Sequence, residues 1–178
     1  MPLSIALLHH PVLNRIGEEI TSTVDHFDVM DGSRLTLTYG VQRFFVVNQV
    51  PAQQALVERL IRHGTAGDGR EARGEFARTL WAPDLATAVE LETRALGRRP
   101  SLVATTAASS ADAVGFVTLR ERLRHGEPML VLFGKAWGLS ASALGSADVR
   151  LAPIEAGTGF NHLSVRSAMA IIVDRLLG

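Results

Sequence analysis

The sequence predicts an α/β fold: three layers, with a mostly parallel sheet covered by helices on both faces. Three observations carry this. Short apolar runs alternate with longer segments of helical period along the whole chain. The apolar runs have no polar alternation, as expected of strands buried on both sides. Several of them end in loops rich in glycine and small residues, where backbone can approach a ligand closely.

The 178 residues are enough for one well-cored domain, expected over residues 1–178. The hydrophobic share of 47% and charged share of 20% are those of an ordinary globular chain. A net charge of zero argues against a dominant, sequence-independent pull on nucleic acid but leaves room for a local basic patch. With no cysteine, disulfides and thiolate metal sites are excluded. The start lacks a basic segment before its apolar run, so it reads as a first strand and not as a signal peptide. No apolar run reaches membrane-spanning length, and a cytoplasmic protein is expected.

In chain order, residues 3–8 form a buried strand that His9, His10 and Pro11 end. A metal at the His pair lacks further ligands at suitable spacing, so no metal is expected and a turn is the better reading. Residues 14–23 are polar and read as a loop. Residues 25–39 read as a helix capped by Asp25 and closed by Gly40. Residues 43–48 are a second strand, and Pro51 opens a helix with Ala55, Leu56, Leu60 and Ile61 on one face. Three glycines and mixed charges at 63–74 predict a mobile connection. A short strand at 79–81 comes next, then a helix at 84–96 ended by Gly97, and a strand at 101–106. Residues 107–115 are a small-residue loop, 116–124 a helix and 129–133 a strand. A short helical piece, a strand at 149–154, a glycine loop at 155–159 and a closing apolar helix complete the chain.

Gly134-Lys135-Ala136-Trp137-Gly138 is no phosphate loop, because it lacks the required Gly-Lys-Ser/Thr ending. By spacing alone it is either a tight turn with Trp137 as a packing anchor or a ligand loop. Asp28, Asp31 and Arg34 lie at i, i+3 and i+6, which suggests one helix face; they read either as a solvated salt-bridge row or as a site.

Three blocks carry a wider likeness: residues 132–139 (LFGKAWGL), 151–154 (LAPI) and 161–168 (NHLSVRSA). Together they resemble the C-terminal half of the SPOUT (alpha/beta-knot) methyltransferases, in a bacterial branch of S-adenosylmethionine-dependent RNA methyltransferase domains. The resemblance implies a deep trefoil knot at the C-terminus, S-adenosylmethionine as cofactor, a tRNA or rRNA substrate (ribose 2′-O is one acceptor) and a homodimer. It implies a cofactor loop at Leu132, Phe133, Gly134, Trp137, Gly138 and Leu139, with Thr105 and Thr106 on the neighbouring strand end. Ala152, Pro153 and Ile154 would hold one adenine face and Leu163 the other, beside His162 and Ser164. A capping or core hydrogen bond by His162 is the structural alternative. Catalysis would fall to Arg34, Asp28 and Asp31, and Met30, Lys135 and Ala136 depart from the family pattern. RNA would lie on a rim formed by Arg70, Arg73, Arg78, Arg98, Arg99, Arg120, Arg122 and Arg124. A non-catalytic S-adenosylmethionine- or RNA-binding module of the same fold is the runner-up. A flavodoxin-like domain is third, disfavoured by the missing phosphate loop after the first strand.

Overall fold

The computed structural model describes residues 1–65 and 74–178. Its strands are β1 (Leu3–Leu8), β2 (Val12–Leu13), β3 (Glu19–Ile20), β4 (Phe44–Val47), β5 (Thr79–Ala82), β6 (Ser101–Ala104), β7 (Met129–Gly134) and β8 (Val149–Arg150). Its helices are α1 (His26–Tyr39), α2 (Pro51–Thr65), α3 (Leu85–Leu96), α4 (Phe116–Arg124), α5 (Ala141–Gly145) and α6 (Val165–Leu177). Six strands form one sheet in the order β5-β4-β1-β7-β6-β8, and every pairing in it is parallel.

The period-two alternation of the strands sorts the core into two layers. Ile5, Leu7, Phe44, Val46, Val103, Val131 and Phe133 point to one side, where Val29 (α1), Val57 (α2), Leu119 (α4) and Met169 (α6) meet them. Ala6, Leu8, Phe45, Val47, Leu130 and Leu132 point to the other, against Ala88 (α3) and Ala143 (α5). The three layers expected from the sequence are present. Gly32 lets α1 lie directly on β4: a Cβ there would be 2.5 Å from the Phe44 ring.

The helix ends arise from local chemistry. Asp25 accepts from the Phe27 N–H at the start of α1, and Gly40 closes the helix at φ 70°. Asp84 and Gly97 do the same for α3. Several details differ from the sequence reading. The strands expected at 101–106 and 149–154 span only Ser101–Ala104 and Val149–Arg150. α2 runs on to Thr65, past the expected break at His63; the rest of that connection, residues 66–73, lies outside the described residues. The polar stretch at 14–23 holds a small antiparallel hairpin of β2 and β3. Its turn is built by Asn14, whose Oδ1 accepts from the N–H groups of Ile16 and Glu18, with Gly17 at φ 83°. Two-residue strands carry no periodicity to read.

α6 lies between α1 and α4. Met169, Ile172, Val173 and Leu176 are buried there, Tyr39 donates to Asp174 at 2.9 Å, and Arg120 Nε donates to the Arg175 carbonyl at 2.9 Å. The wide apolar surface of this helix is thus largely covered by the chain itself. Among the described residues no helix is long and apolar enough to cross a membrane.

Two ionisable groups, Glu92 and His9, are buried against the sheet. Glu92 of α3 is 1% exposed and is satisfied by Ser4 at 2.7 Å and Arg43 at 3.1 Å. His9, at the end of β1, is fully buried, and neither ring nitrogen has a partner among the described residues. Burial and then the charge of Lys135 hold its pKa down to about 4, against a weaker upward pull from the backbone at Val47 and Leu7. The folded state therefore refuses a proton that the unfolded chain accepts near pH 6.5. Stability from this group is complete above pH 6.5 and is lost as pH falls through about 4. The gap corresponds to about 3 kcal/mol. Urea unfolding from pH 7 to 4 should show this loss, and His9→Phe should flatten it; parallel profiles for the two proteins would contradict the assignment.

Candidate functional site

The parallel strand order brings the loops after β1, β7, β6 and β8 to one edge of the sheet. The loop after β7 is the tightest. A Cβ on Gly134 would lie 2.4 Å from the Leu139 nitrogen and 2.5 Å from the Gly138 carbonyl carbon, so the loop folds back over its own first residue. Ala136 has φ 55° and Gly138 φ 100°, both in the left-handed region. On Gly138 a Cβ would meet nothing within 4 Å, so its backbone faces open space. The β2–β3 hairpin braces this loop: Leu13 N–H donates to the Gly138 carbonyl at 3.0 Å, and Trp137 N–H donates to the Leu13 carbonyl at 3.1 Å. Trp137 is 61% exposed, so it is not the packing anchor that one reading of the spacing suggested. Leu132, Phe133 and Leu139 are buried in the two core layers, and only their backbone can reach a ligand.

The neighbouring loops are stitched to this one. Thr105 uses both its N–H and its hydroxyl on the Leu132 carbonyl, at 3.2 and 2.8 Å. The Thr106 hydroxyl accepts from the Ala108 N–H at 3.1 Å. Ala152 N–H donates to the Val114 carbonyl at 2.9 Å, and the Asn161 amide donates to the Ala107 carbonyl at 2.7 Å, which closes the loop after β8 onto the loop after β6. Pro153 and Ile154 are half-buried, and Ile154 leans on the core below. Ser164 caps α6 by accepting from the Ser167 N–H, so His162 precedes the helix and is not its cap. His162 instead stacks edge-on against Phe160, with ring centroids 5.5 Å apart. Phe160 and Leu163 are 71% and 47% exposed. The fourteen residues expected to hold a cofactor thus fall in loops or strand ends of this one edge.

The acceptor-side expectation is met differently. Asp28 is 2% exposed and is paired with Lys135 Nζ and, at 3.4 Å, with Arg166 Nε. Asp31 takes the other end of the same guanidinium at 3.2 Å. Arg34 is not with them: it is half exposed and pairs with Glu75 at 3.2 Å. At 100° per residue, i+6 lies about 120° round the helix from i, so Asp28 and Arg34 cannot share a face although each neighbours Asp31. The cations beside the carboxylates are Lys135 and Arg166. Sequence reasoning passed over Arg166, although it lies two residues beyond Ser164 inside a block already singled out. The Arg166 guanidinium also sits 5.8 Å from the ring centroid of Phe27, which is 55% exposed.

Of the expected arginine rim, Arg124 is exposed, and five other described members are engaged within the chain. Arg78 donates to the Val41 carbonyl, Arg98 to Gly126, Arg99 to Asp148, Arg120 to Arg175 and Arg122 to Glu127. These side chains close loops and helix ends within the chain. Arg70 and Arg73 lie outside the described residues. Among the described residues no group of three or more His, Cys, Asp or Glu is arranged to hold a metal.

Comparison with known proteins bears on the family and the fold. A profile of the family described as SAM-dependent RNA methyltransferase matches residues 2–178. A protein of Oleidesulfovibrio alaskensis named tRNA (guanine-N(1)-)-methyltransferase is 37% identical over 99% of this chain and 42% of its own length. One from Nitratidesulfovibrio vulgaris with the same name is 34% identical, again over 42% of its length, so the chain spans less than half of these curated relatives. Among solved structures, the SpoU methyltransferase AviRb of Streptomyces viridochromogenes, in complex with AdoMet, superposes with a TM-score of 0.61 at 16% identity, over 98% of this chain and 56% of that one. The A. aeolicus TrmH/SpoU tRNA modifying enzyme gives 0.58 at 18% identity, over 99% and 74%. The structural likeness speaks to the fold and the profile match to the family: the chain belongs to the SAM-dependent RNA methyltransferase family.

Proposed function

We propose that this chain binds S-adenosylmethionine across the loops at 134–139, 105–106, 152–154 and 162–164 and transfers its methyl group to a nucleotide of tRNA or rRNA in the cytoplasm. The observation that supports this most is the loop after β7, which doubles back at Gly134 and leaves the Cα side of Gly138 open, at the sheet edge that also carries the loop of Ile154. A loop that a ligand can approach closely at an edge carrying apolar side chains suits an adenosine. When bound, the cofactor supplies a methyl group already activated as a sulfonium.

The chain's own work is positioning and the handling of one proton. Asp31, part exposed on α1, is suited to accept the proton that leaves the acceptor group. Asp28, buried between Lys135 and Arg166, is suited to hold geometry. The family likeness gives Arg34 a part at the acceptor, which requires its pair with Glu75 to open. The trefoil knot belongs to the same reading, supported by the close cover of α6 by α1 and α4. So does a homodimer. α6 supports it less than its composition suggested; the exposed Trp137, Phe160 and Leu163 at the cofactor edge support it more.

Four outcomes are expected. Calorimetry should detect S-adenosylhomocysteine binding, and labelled cofactor should methylate total tRNA or rRNA. Gly138→Val should weaken that binding roughly hundredfold or more while circular dichroism stays native, because a β-branched residue is strained at this φ and fills the open side; unchanged affinity would remove the site from this loop. RNA retention should weaken with salt at a shallow log–log slope of about 2–4, matching few phosphate contacts; no retention at low salt would leave a small-molecule methyltransferase. Light scattering should give a dimer mass, and a monomer mass at micromolar concentration would refute the assembly.

A further inference from the structure

Lys135 is unusual for its position. It stands inside the loop assigned to the cofactor, yet its ammonium reaches away from that loop to the carboxylate of Asp28 on α1. Its backbone is held independently, with its N–H on the Leu8 carbonyl and its carbonyl on the Gly138 N–H, both at 3.0 Å. A carboxylate that is 2% exposed is stable as an anion only if cations replace its lost hydration. Asp28 has two, and they come from different blocks: Lys135 from the loop after β7 and Arg166 from the first turn of α6. Arg166 passes the connection on to Asp31. The four groups sum to zero charge, so the cluster is a tie and not an anion or cation trap.

From this arrangement we propose that Lys135 is a positioning residue for methyl transfer: acting through Asp28, it locks the cofactor loop in register with the acceptor face formed by α1 and the start of α6. The inference rests on the cofactor reading above. Its physical basis is that an in-line transfer needs donor and acceptor within a few tenths of an ångström of contact geometry, and a misplacement of about 1 Å costs on the order of a hundredfold in rate. Nothing else among the described residues ties the Lys135 ammonium to a second segment; the hairpin braces the other end of the same loop. The methyl group leaves sulfur with the bonding pair remaining on sulfur, the acceptor forms the new bond to carbon, and its proton passes to Asp31. Lys135 touches none of these atoms.

The test compares wild type with Lys135→Met and Lys135→Arg, using S-adenosylhomocysteine and labelled methylation of RNA. In wild type, S-adenosylhomocysteine should slow amide exchange in the loop at 134–139 and also in the first turns of α1 and α6. In Lys135→Met the loop protection should persist while protection in α1 and α6 is lost. Its kcat should fall about 10- to 100-fold, with the affinity for S-adenosylhomocysteine changed less than about fivefold. Lys135→Arg, which keeps a cation for Asp28, should recover much of the rate. Unchanged kcat in Lys135→Met, or α1 protection that persists without the lysine, overturns the tie while leaving the cofactor site intact. Equal loss of affinity and rate makes Lys135 a binding residue and also overturns it. Should wild type bind no S-adenosylhomocysteine, the cofactor reading fails, and the tie with it.

Discussion

The pairing of β1 with β7 is the constraint on which the functional edge depends. It runs in parallel register from Leu3 opposite Met129 to Leu8 opposite Gly134 and joins the first strand of the chain to the last long one. Because the register is fixed by apolar residues buried on both faces, a slip of one residue would turn Leu7 and Phe133 into the wrong layer. The ends of the two strands are therefore level, and the segments leaving them meet. Lys135 N–H continues the ladder onto the Leu8 carbonyl, and the hairpin after His10 closes over the loop after Gly134. Backbone hydrogen bonds thus shape the loop before any ligand arrives.

Onto that backbone frame the chain adds a layer of electrostatics that is local and almost fully spent. Most of the arginines in the described connections donate to a carbonyl or a carboxylate of their own chain. Glu92 and Asp28, the two deeply buried carboxylates, each draw partners from segments distant in sequence. Such pairs contribute modestly to net stability, because desolvation offsets most of the Coulomb gain, but breaking one leaves an unpaired buried charge. Their effect is to favour one arrangement of α1, α3 and α6 against the sheet over nearby alternatives.

Much of this was legible in the sequence, for identifiable reasons. Helix ends could be read because Asp25, Gly40, Asp84 and Gly97 do their work within a few residues. The layers could be read because uninterrupted apolar runs admit few alternatives. The loops after β1, β6, β7 and β8 could be placed at one edge because parallel strands send all their C-terminal ends the same way. The β2–β3 hairpin was hidden by its two-residue strands. Arg34 was grouped with Asp28 because i, i+3, i+6 looks like one row, whereas the row winds round the helix and leaves Arg34 with Glu75. Lys135 looked like a mere departure in a glycine loop, and its role depends on a carboxylate 107 residues away, which no local pattern encodes.

On the proposed RNA reading, with few of the described arginines left uncommitted, recognition leans on shape more than on charge. A surface of zero net charge gains little from counterion release, so weak attraction must be supplemented by contacts that only a particular nucleotide geometry allows. One exposed aromatic fits that demand: Phe27 is 55% exposed and lies under the guanidinium of Arg166. Exposed aromatic faces accept any base by stacking, at about 1–3 kcal/mol each. Discrimination then falls to the fixed polar groups by Phe27, Arg166 and its partner Asp31. A site organised in this way gains specificity from rigidity, because a mobile loop would let an ill-fitting nucleotide reach the methyl donor. The buried pair between Lys135 and Asp28 is the element that opposes such motion, which is why a lysine is physically reasonable in a loop where glycine and small residues otherwise predominate.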